Sequence, residues 1–206
     1  MMLGLAGAHR TGKTTLAKRF AEVSGYTFVE TKTSQVFKRL GLDPRVDYPL
    51  EQRLMIQDAI LDCLEESYAK NRHYSIVDRT PIDLMSYMIA DVTRQNADPY
   101  IDPEIMIYLQ RCYDLSRQYF AGLVVVQPGI QVIEDLDKAP GVESYMEHIN
   151  MLCLGALSVG KLGSVRCYVM NRSCIDLEER VESLINIAVD LPVPYYVVSL
   201  DQKLPM

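Results

Sequence analysis

The sequence has no uninterrupted apolar run that could cross a membrane. A helix that spans the hydrocarbon core of a bilayer needs about 18 to 20 apolar residues, and the apolar runs here are far shorter. The chain also begins directly with a predicted strand, without the basic and then apolar segments of a secretory signal. We therefore expect an intracellular, cytoplasmic protein with no membrane partner.

The cysteines and histidines lack the spacings that mark a metal centre or a disulfide framework. There are 5 cysteines, an odd number, and no C-x-x-C pair. Zinc sites and disulfide-rich domains usually show such pairs, so we expect reduced thiols that are mostly buried. Among the 3 histidines only His9 is of interest, because it lies inside a glycine-rich loop.

Basic residues are also scarce relative to acidic ones. The chain has 21 Lys and Arg against 27 Asp and Glu, a net charge of −6. Proteins that cover nucleic acid neutralise many phosphates with basic side chains, so this balance disfavours a nucleic-acid partner without excluding it. No repeat or low-complexity tract is present, and 206 residues with 49% hydrophobic content predict one folded domain over residues 1–206.

One motif near the start organises the rest of the prediction. A short apolar run, Met2 to Ala6, leads into Gly7-Ala8-His9-Arg10-Thr11-Gly12-Lys13-Thr14, which has the G-x-x-x-x-G-K-[ST] spacing of a phosphate-binding loop, or P-loop. Backbone N–H groups of such a loop surround phosphates, and the following helix directs its positive dipole end at them. A chance glycine-rich turn is the alternative. The predicted strand before the loop and the apolar helix after it disfavour that alternative.

The P-loop residues have separate expected roles. Lys13 would contact the β- and γ-phosphate oxygens of ATP, and the Thr14 hydroxyl would be a ligand of Mg²⁺. The predicted phosphate-binding residues are Gly7, His9, Arg10, Thr11, Gly12, Lys13, Thr14 and Thr15.

Carboxylates follow two predicted strands, at the edge of the sheet where ligands bind in open α/β folds. Glu30 closes the run Tyr26 to Glu30, and Asp78 closes an apolar run with Arg79 beside it. We predict that Asp78 holds Mg²⁺ together with Thr14, and that Arg79 binds a phosphate. Glu30 is either a catalytic carboxylate or a solvated strand end.

A long helix predicted from Leu50 to Ala69 carries two polar residues on one face. Arg53 and Gln57 are four residues apart and lie among apolar neighbours. We predict that they contact the second substrate, although a polar edge is also common on a core helix. In the next helix, Thr80 is expected to be the N-cap, and Asp83 is expected to be a capping residue rather than a catalyst.

Strands and helices alternate along the chain. This order, together with the P-loop, predicts an α/β fold of the P-loop NTPase kind: a three-layer α/β/α sandwich with a mostly parallel sheet of five or six strands. The predicted strands are about 2–6, 26–30, 74–79, 122–126, 165–170 and 195–200.

The P-loop, Glu30 and Asp78-Arg79-Thr80-Pro81 together resemble the nucleoside and nucleotide kinases among P-loop proteins. That group includes thymidylate kinase, the deoxynucleoside kinases, nicotinamide-riboside kinases and small AAA-like kinases of bacteria and phages. The resemblance implies an ATP- and Mg²⁺-dependent phosphotransferase with a nucleoside- or nucleotide-like acceptor. It also implies that Glu30 is a general base, that Gln57 reads a base and that Arg79 holds a phosphate. A phage origin would place the protein in the host cytoplasm.

The same resemblance implies a mobile lid at about 128–143. Lids of this kind often carry arginines that stabilise the transferring phosphate, but this segment has only Lys138. The neutralising charge would then come from Arg79, Arg166 or Arg172.

Other functions stay open at the level of the sequence. One is a phage-type kinase that phosphorylates hydroxymethyluracil in DNA, which the acidic composition disfavours. Another is a P-loop ATPase or switch without a small acceptor, and a third is a nucleotide-binding module without catalysis. The intact Lys13, Thr14 and Asp78 disfavour the last of these. A second copy of the chain is left open as a partner.

Overall fold

Parallel strands form the centre of the molecule in a computed structural model, which describes residues 2–31, 33–43, 46–71, 73–95, 101–131 and 142–191. Within these residues the sheet has five strands in the order β2-β3-β1-β4-β5, and every neighbouring pair is parallel. The predicted fold class is confirmed. The strands are β1 (Met2–Ala6), β2 (Thr27–Val29), β3 (Ser75–Val77), β4 (Gly122–Val126) and β5 (Arg166–Met170).

Helices follow the strands, as parallel pairing requires, because the chain must return to the same edge of the sheet before each new strand. The helices in the described part of the chain are α1 (Lys13–Ser24), α2 (Thr33–Leu40), α3 (Leu50–Lys70), α4 (Pro81–Gln95), α5 (Asp102–Tyr119), α6 (Glu143–Ser158) and α7 (Leu177–Asp190). None of these described helices is both long enough and apolar enough to span a bilayer.

Side chains of the central strands β1, β3 and β4 alternate between two buried clusters, which explains why these strands are apolar on both faces. Leu3 and Leu5 of β1 pack with Leu16 and Phe20 of α1 and with residues of α7. Met2 and Ala6 of β1 pack on the opposite face with residues of α3, α4, α5 and α6. The protein therefore has two helical layers around one sheet.

The central position of β1 determines where the P-loop lies. β1 pairs with β3 on one side and with β4 on the other, so the loop after Ala6 emerges between the carboxyl ends of both neighbours. Residues that follow β3 and β4 therefore meet the loop at the same edge of the sheet.

Two parts of the sequence prediction fall largely outside the described residues. The predicted strand at 195–200 is one, and residues 132–141 of the predicted lid are the other. The lid and the single-domain boundary at 1–206 stay predictions.

Candidate functional site

The P-loop adopts backbone conformations that explain its glycines. Gly7 has φ 135° and Gly12 has φ 81°, values at which a side chain is strained. A Cβ on Gly7 would also lie 2.6 Å from the carbonyl oxygen of Val126. Gly7 is therefore required both by its conformation and by the close approach of β4.

Lys13 begins α1 and is buried in the loop. Its Nζ donates to the carbonyl oxygens of Gly7, at 2.7 Å, and Ala8, at 2.5 Å. Burial lowers the pKa of Lys13, and the nearby carboxylate of Asp83 opposes that shift. The ammonium group is thus held within the loop by backbone carbonyls, where it can exchange these contacts for phosphate oxygens.

Asp83 fixes the start of the loop from helix α4. Its carboxylate is fully buried and accepts hydrogen bonds from the backbone N–H of Gly7, at 2.6 Å, and of Thr80, at 2.7 Å. The bond to Thr80 is the predicted cap, but the bond to Gly7 is not predictable from local sequence, because the two residues are 76 positions apart. Burial raises the pKa of Asp83.

Thr14 and Asp78 meet at the carboxyl edge of the sheet. The Thr14 hydroxyl donates to Asp78 Oδ2, and the Thr31 hydroxyl donates to Asp78 Oδ1 at 3.3 Å. Hydroxyl and carboxylate oxygens are the hard ligands that Mg²⁺ prefers. This donor set fits the metal that the sequence predicts, and Thr31 is a neighbour that sequence analysis did not identify.

A cavity of about 550 Å³ opens beside the loop and collects most of the predicted residues. Thr11 lies beneath it, fully buried, and its hydroxyl donates to Ala8 O at 3.1 Å. The residues that line the cavity are His9, Arg10, Gly12, Lys13, Thr14, Thr15, Thr31, Thr33, Asp78, Arg79, Ile130 and Gln131.

Tyr87 of α4 lies beside His9 and Arg79, and Tyr145 of α6 lies beside His9. The Tyr87 hydroxyl accepts a hydrogen bond from the backbone N–H of His9 at 3.0 Å, and the Arg79 guanidinium carbon lies 5.8 Å from the centre of the Tyr87 ring. The ring centroid of Tyr145 is 6.0 Å from that of His9. Sequence analysis missed both tyrosines, since they look like ordinary core positions of helices.

Arg53 and Gln57 do not line that cavity; Arg53 lies instead beside Asp91 of α4, and Gln57 is buried one turn further along α3. Arg53 Nε lies 3.6 Å from a carboxylate oxygen of Asp91, which is itself buried. Gln57 Oε1 is buried and has no hydrogen-bond partner among the described residues, and Arg53 Nε has none either. Burial raises the pKa of Asp91, and Arg53 opposes the shift. Asp91 is a further residue that the sequence did not point to.

Glu30 directly precedes Thr31, which lines the P-loop cavity. It follows β2 at the correct edge of the sheet, but its side chain is exposed and is not among the residues that line the P-loop cavity. The role of Glu30 as a general base therefore stays a prediction.

The three arginines that were predicted to replace lid arginines, Arg79, Arg166 and Arg172, lie at different positions around the sheet. Arg166 starts β5 at the opposite edge of the sheet from the P-loop and donates to Asp190 at 2.7 Å. It therefore cannot serve the P-loop. Arg172 follows β5 at the correct edge, where its guanidinium pairs with Glu147 of α6 and donates to Gln127 Oε1 at 3.2 Å. Arg79 remains as a cation in the cavity wall.

The fold and the P-loop define a P-loop protein, and comparison with known families makes the assignment specific. A family model described as AAA domain matches residues 4–116, more than half of the chain. The protein belongs to this family. No curated protein sequence matches the chain.

Several solved structures share the fold at low sequence identity. The deoxyadenosine kinase from M. mycoides with bound dCTP aligns with a TM-score of 0.61 at 16% identity, over 93% of this chain and 100% of that one. The NadR protein in complex with NR aligns at 0.66 and 14%, over 95% of this chain and 54% of the NadR chain. The thymidylate kinase from Candida albicans aligns at 0.53 and 13%, over 92% and 91%.

Proposed function

We propose that this protein is an ATP- and Mg²⁺-dependent kinase that transfers the γ-phosphoryl group to a nucleoside or nucleotide. The observation that carries the proposal is that Lys13, Thr14, Asp78 and Arg79 line one cavity at the carboxyl edge of the sheet. Phosphoryl transfer requires mainly positioning and neutralisation of charge, and these are the groups that provide both. The names of the solved structures with this fold support a nucleoside or nucleotide acceptor.

The donor would bind at the P-loop. The loop N–H groups and the start of α1 bind the phosphates, and Lys13 exchanges its contacts with Gly7 O and Ala8 O for β- and γ-phosphate oxygens. Asp83 fixes the start of the loop by accepting a hydrogen bond from the backbone N–H of Gly7. Thr14 and Asp78 would hold Mg²⁺, which would neutralise negative charge that develops on the phosphates.

The acceptor would extend from Arg79 toward Arg53, Gln57 and Asp91. Buried polar atoms without hydrogen bonds are costly, so Gln57 Oε1, and Arg53 Nε beside Asp91, are suited to hydrogen-bonding groups that a ligand brings. A planar base with hydrogen-bond donors and acceptors on its edge provides such groups. Arg79 would bind the phosphate of a nucleotide acceptor, or the phosphoryl group in transit.

The role of Glu30 depends on the acceptor. A hydroxyl must lose a proton as it attacks, and Glu30 would accept it. A monophosphate is already anionic and needs no base. The exposed side chain of Glu30 allows either case, because it lies at the edge of the sheet where an acceptor can reach it.

A panel of acceptors tests this proposal. Labelled ATP is incubated with the protein and with nucleosides, deoxynucleoside monophosphates, nicotinamide riboside or hydroxymethylated DNA. We expect label on a nucleoside or a nucleoside monophosphate. Label on the DNA alone would favour the DNA-modifying alternative, and release of free phosphate with every acceptor would favour an ATPase.

The Gln57 contact can be tested with the acceptor that the panel identifies. Gln57→Leu keeps the volume of the side chain but removes its amide, so KM for the acceptor should rise while KM for ATP stays the same. Met55→Leu, at an exposed position of the same helix, is the matched control. An unchanged acceptor KM in Gln57→Leu would exclude this residue from the acceptor site.

A further inference from the structure

Arg180 is a buried cation that touches the back of the P-loop. It lies in the first turns of α7, and only 4% of its surface is exposed. Its Nη2 donates to the carbonyl oxygen of Thr11 at 3.1 Å. A Cβ placed on Gly12 would lie 3.1 Å from Arg180 Nη1. The guanidinium group therefore packs against the two residues that precede Lys13.

Apart from the Thr11 carbonyl and the loop backbone, the neighbours of Arg180 are mostly apolar. Its Nε points at the thioether sulfur of Met170 at 3.4 Å, and its neighbours in α7 include Val181 and Leu184, which are both in the core. A methionine or leucine would suit such a site and would carry no desolvation cost. The presence of a guanidinium group here therefore needs an explanation.

No carboxylate forms an ion pair with Arg180 within the described ranges. The acidic residue two positions before it, Glu178, pairs instead with Arg19 of α1 at 2.8 Å, and Glu179 is exposed. Burial lowers the pKa of Arg180, and the nearby Cys174 opposes the shift. A buried charge without a counter-ion destabilises a fold unless another group supplies the opposite charge.

We propose that Arg180 is a positioning residue of the P-loop whose counter-charge is the phosphate chain of the bound ligand. It holds Thr11 and Gly12 through the Thr11 carbonyl, and it adds a second positive charge next to the loop. The proposal rests on the proposed function in one respect, that the ligand of the loop is a polyphosphate.

A purely structural role and the proposed role as a charge predict different effects of Arg180 on stability and ligand affinity. A structural hydrogen bond would stabilise the protein with and without ligand, and Arg180→Gln, which keeps a donor for Thr11 O, would retain much of its effect. A cation that gains its counter-ion only when the ligand binds stabilises the complex more than the free protein. Its contribution to affinity grows with the negative charge of the ligand. Affinity should therefore depend on Arg180 most strongly for tripolyphosphate and ATP, less for AMP and not at all for adenosine.

The test compares three substitutions with the wild type. Arg180→Met removes the charge and the hydrogen bonds, Arg180→Gln removes the charge but keeps a donor for Thr11 O, and Arg180→Lys keeps the charge. Arg19→Met is the matched control. Arg19 lies on α1 and forms ion pairs with the exposed Glu22 of α1 and Glu178 of α7. Calorimetry measures binding of inorganic tripolyphosphate, ATP, AMP and adenosine, and thermal unfolding is followed without ligand.

We expect Arg180→Met and Arg180→Gln to lose about tenfold in affinity for tripolyphosphate and ATP, with Arg180→Lys recovering part of the loss. Without ligand, the unfolding temperature of Arg180→Gln should equal or exceed that of the wild type. Arg19→Met should bind as the wild type does. If Arg180→Met does not fold, Arg180→Gln alone decides the question.

Three results would overturn the inference. One is unchanged affinity for tripolyphosphate in Arg180→Gln, and another is an equal loss for adenosine and ATP. The third is a wild-type protein that binds neither ATP nor tripolyphosphate, which would overturn the proposed function as well. In the first two cases the wild type still binds polyphosphate, so the proposed function would stand.

Discussion

The carboxylate of Asp83 accepts a hydrogen bond from the backbone N–H of Gly7 at 2.6 Å, and this contact joins the first residue of the P-loop to the first turn of α4. The same carboxylate caps α4 through Thr80. One buried side chain thus orients the strand end that carries the loop and the helix that carries Tyr87. The residue that a sequence motif identifies as a cap therefore also holds the first residue of the P-loop.

Replacing Asp83 by asparagine should damage the loop more than the fold. An amide has one acceptor oxygen and presents N–H donors, so it cannot accept from both Gly7 and Thr80 as the carboxylate does. We expect Asp83→Asn to lower affinity for ATP about tenfold or more, since a hydrogen bond to a charged group contributes about 1.5 to 3 kcal/mol.

Ser86→Ala is the control for Asp83→Asn. Ser86 is buried on the same helix, donates to Ile82 O at 2.8 Å and accepts from Cys153 Sγ at 3.3 Å, and it makes no direct hydrogen bond to the described P-loop residues. Its replacement should change thermal stability slightly and leave ATP binding alone. Equal ATP affinity in Asp83→Asn and the wild type, measured by calorimetry, would mean that the loop does not depend on this contact.

Asp78 should determine the dependence on Mg²⁺. Its carboxylate oxygens are the acceptors for the hydroxyls of Thr14 and Thr31. Asp78→Asn keeps the size of the side chain but removes its negative charge, so half-maximal activity should require about tenfold more Mg²⁺. A magnesium titration that superimposes on that of the wild type would make Asp78 a structural residue only.

Glu30→Gln separates the two acceptor chemistries. If the acceptor is a hydroxyl, the loss falls on kcat and reaches about 10² to 10⁴-fold, the usual contribution of general-base catalysis. If the acceptor is a monophosphate, the change acts mainly on the KM of the acceptor. Steady-state kinetics with the identified acceptor distinguishes these cases, and wild-type values for both constants would place Glu30 on the solvated rim.

Lys13 should give the reaction an alkaline limit. Burial lowers its pKa, so the ammonium group loses its proton at a lower pH than an exposed lysine does. Since the neutral amine cannot attract phosphate, kcat/KM for ATP should fall as pH rises through this lowered pKa. In Lys13→Arg the guanidinium stays charged, and the alkaline limb of the pH profile should move to higher pH. The same alkaline limb in both proteins would assign it to another group.

The sequence predicted those parts of the site that are formed by residues close to one another along the chain. The P-loop spacing, the cap at Thr80 and the edge at which Asp78 lies all follow from residues within a few positions of one another. The contact of Asp83 with Gly7, the contact of Tyr87 with His9 and that of Arg180 with Thr11 join residues that are 76, 78 and 169 positions apart. Such contacts depend on the packing of α4 and α7 against the sheet, which no local pattern encodes.

Strand direction was also informative for residues at the edges of the sheet. Because all strands are parallel, Arg166 at the start of β5 and Arg172 after its end lie at opposite edges. The sequence predicted β5 but not the ion pair of Arg172 with Glu147, which lies in α6. The three-dimensional structure is therefore needed to tell which of these arginines form ion pairs within the protein.

The most direct test of the kinase assignment follows the labelled γ-phosphoryl group of ATP in the wild type and in Lys13→Ala, with the acceptor that gives the best yield. The account predicts label on the acceptor with the wild type, and a turnover at least about 10²-fold lower in Lys13→Ala, whose unfolding transition should remain cooperative. Label that appears only as free phosphate, or a Lys13→Ala variant that transfers as fast as the wild type, would contradict it.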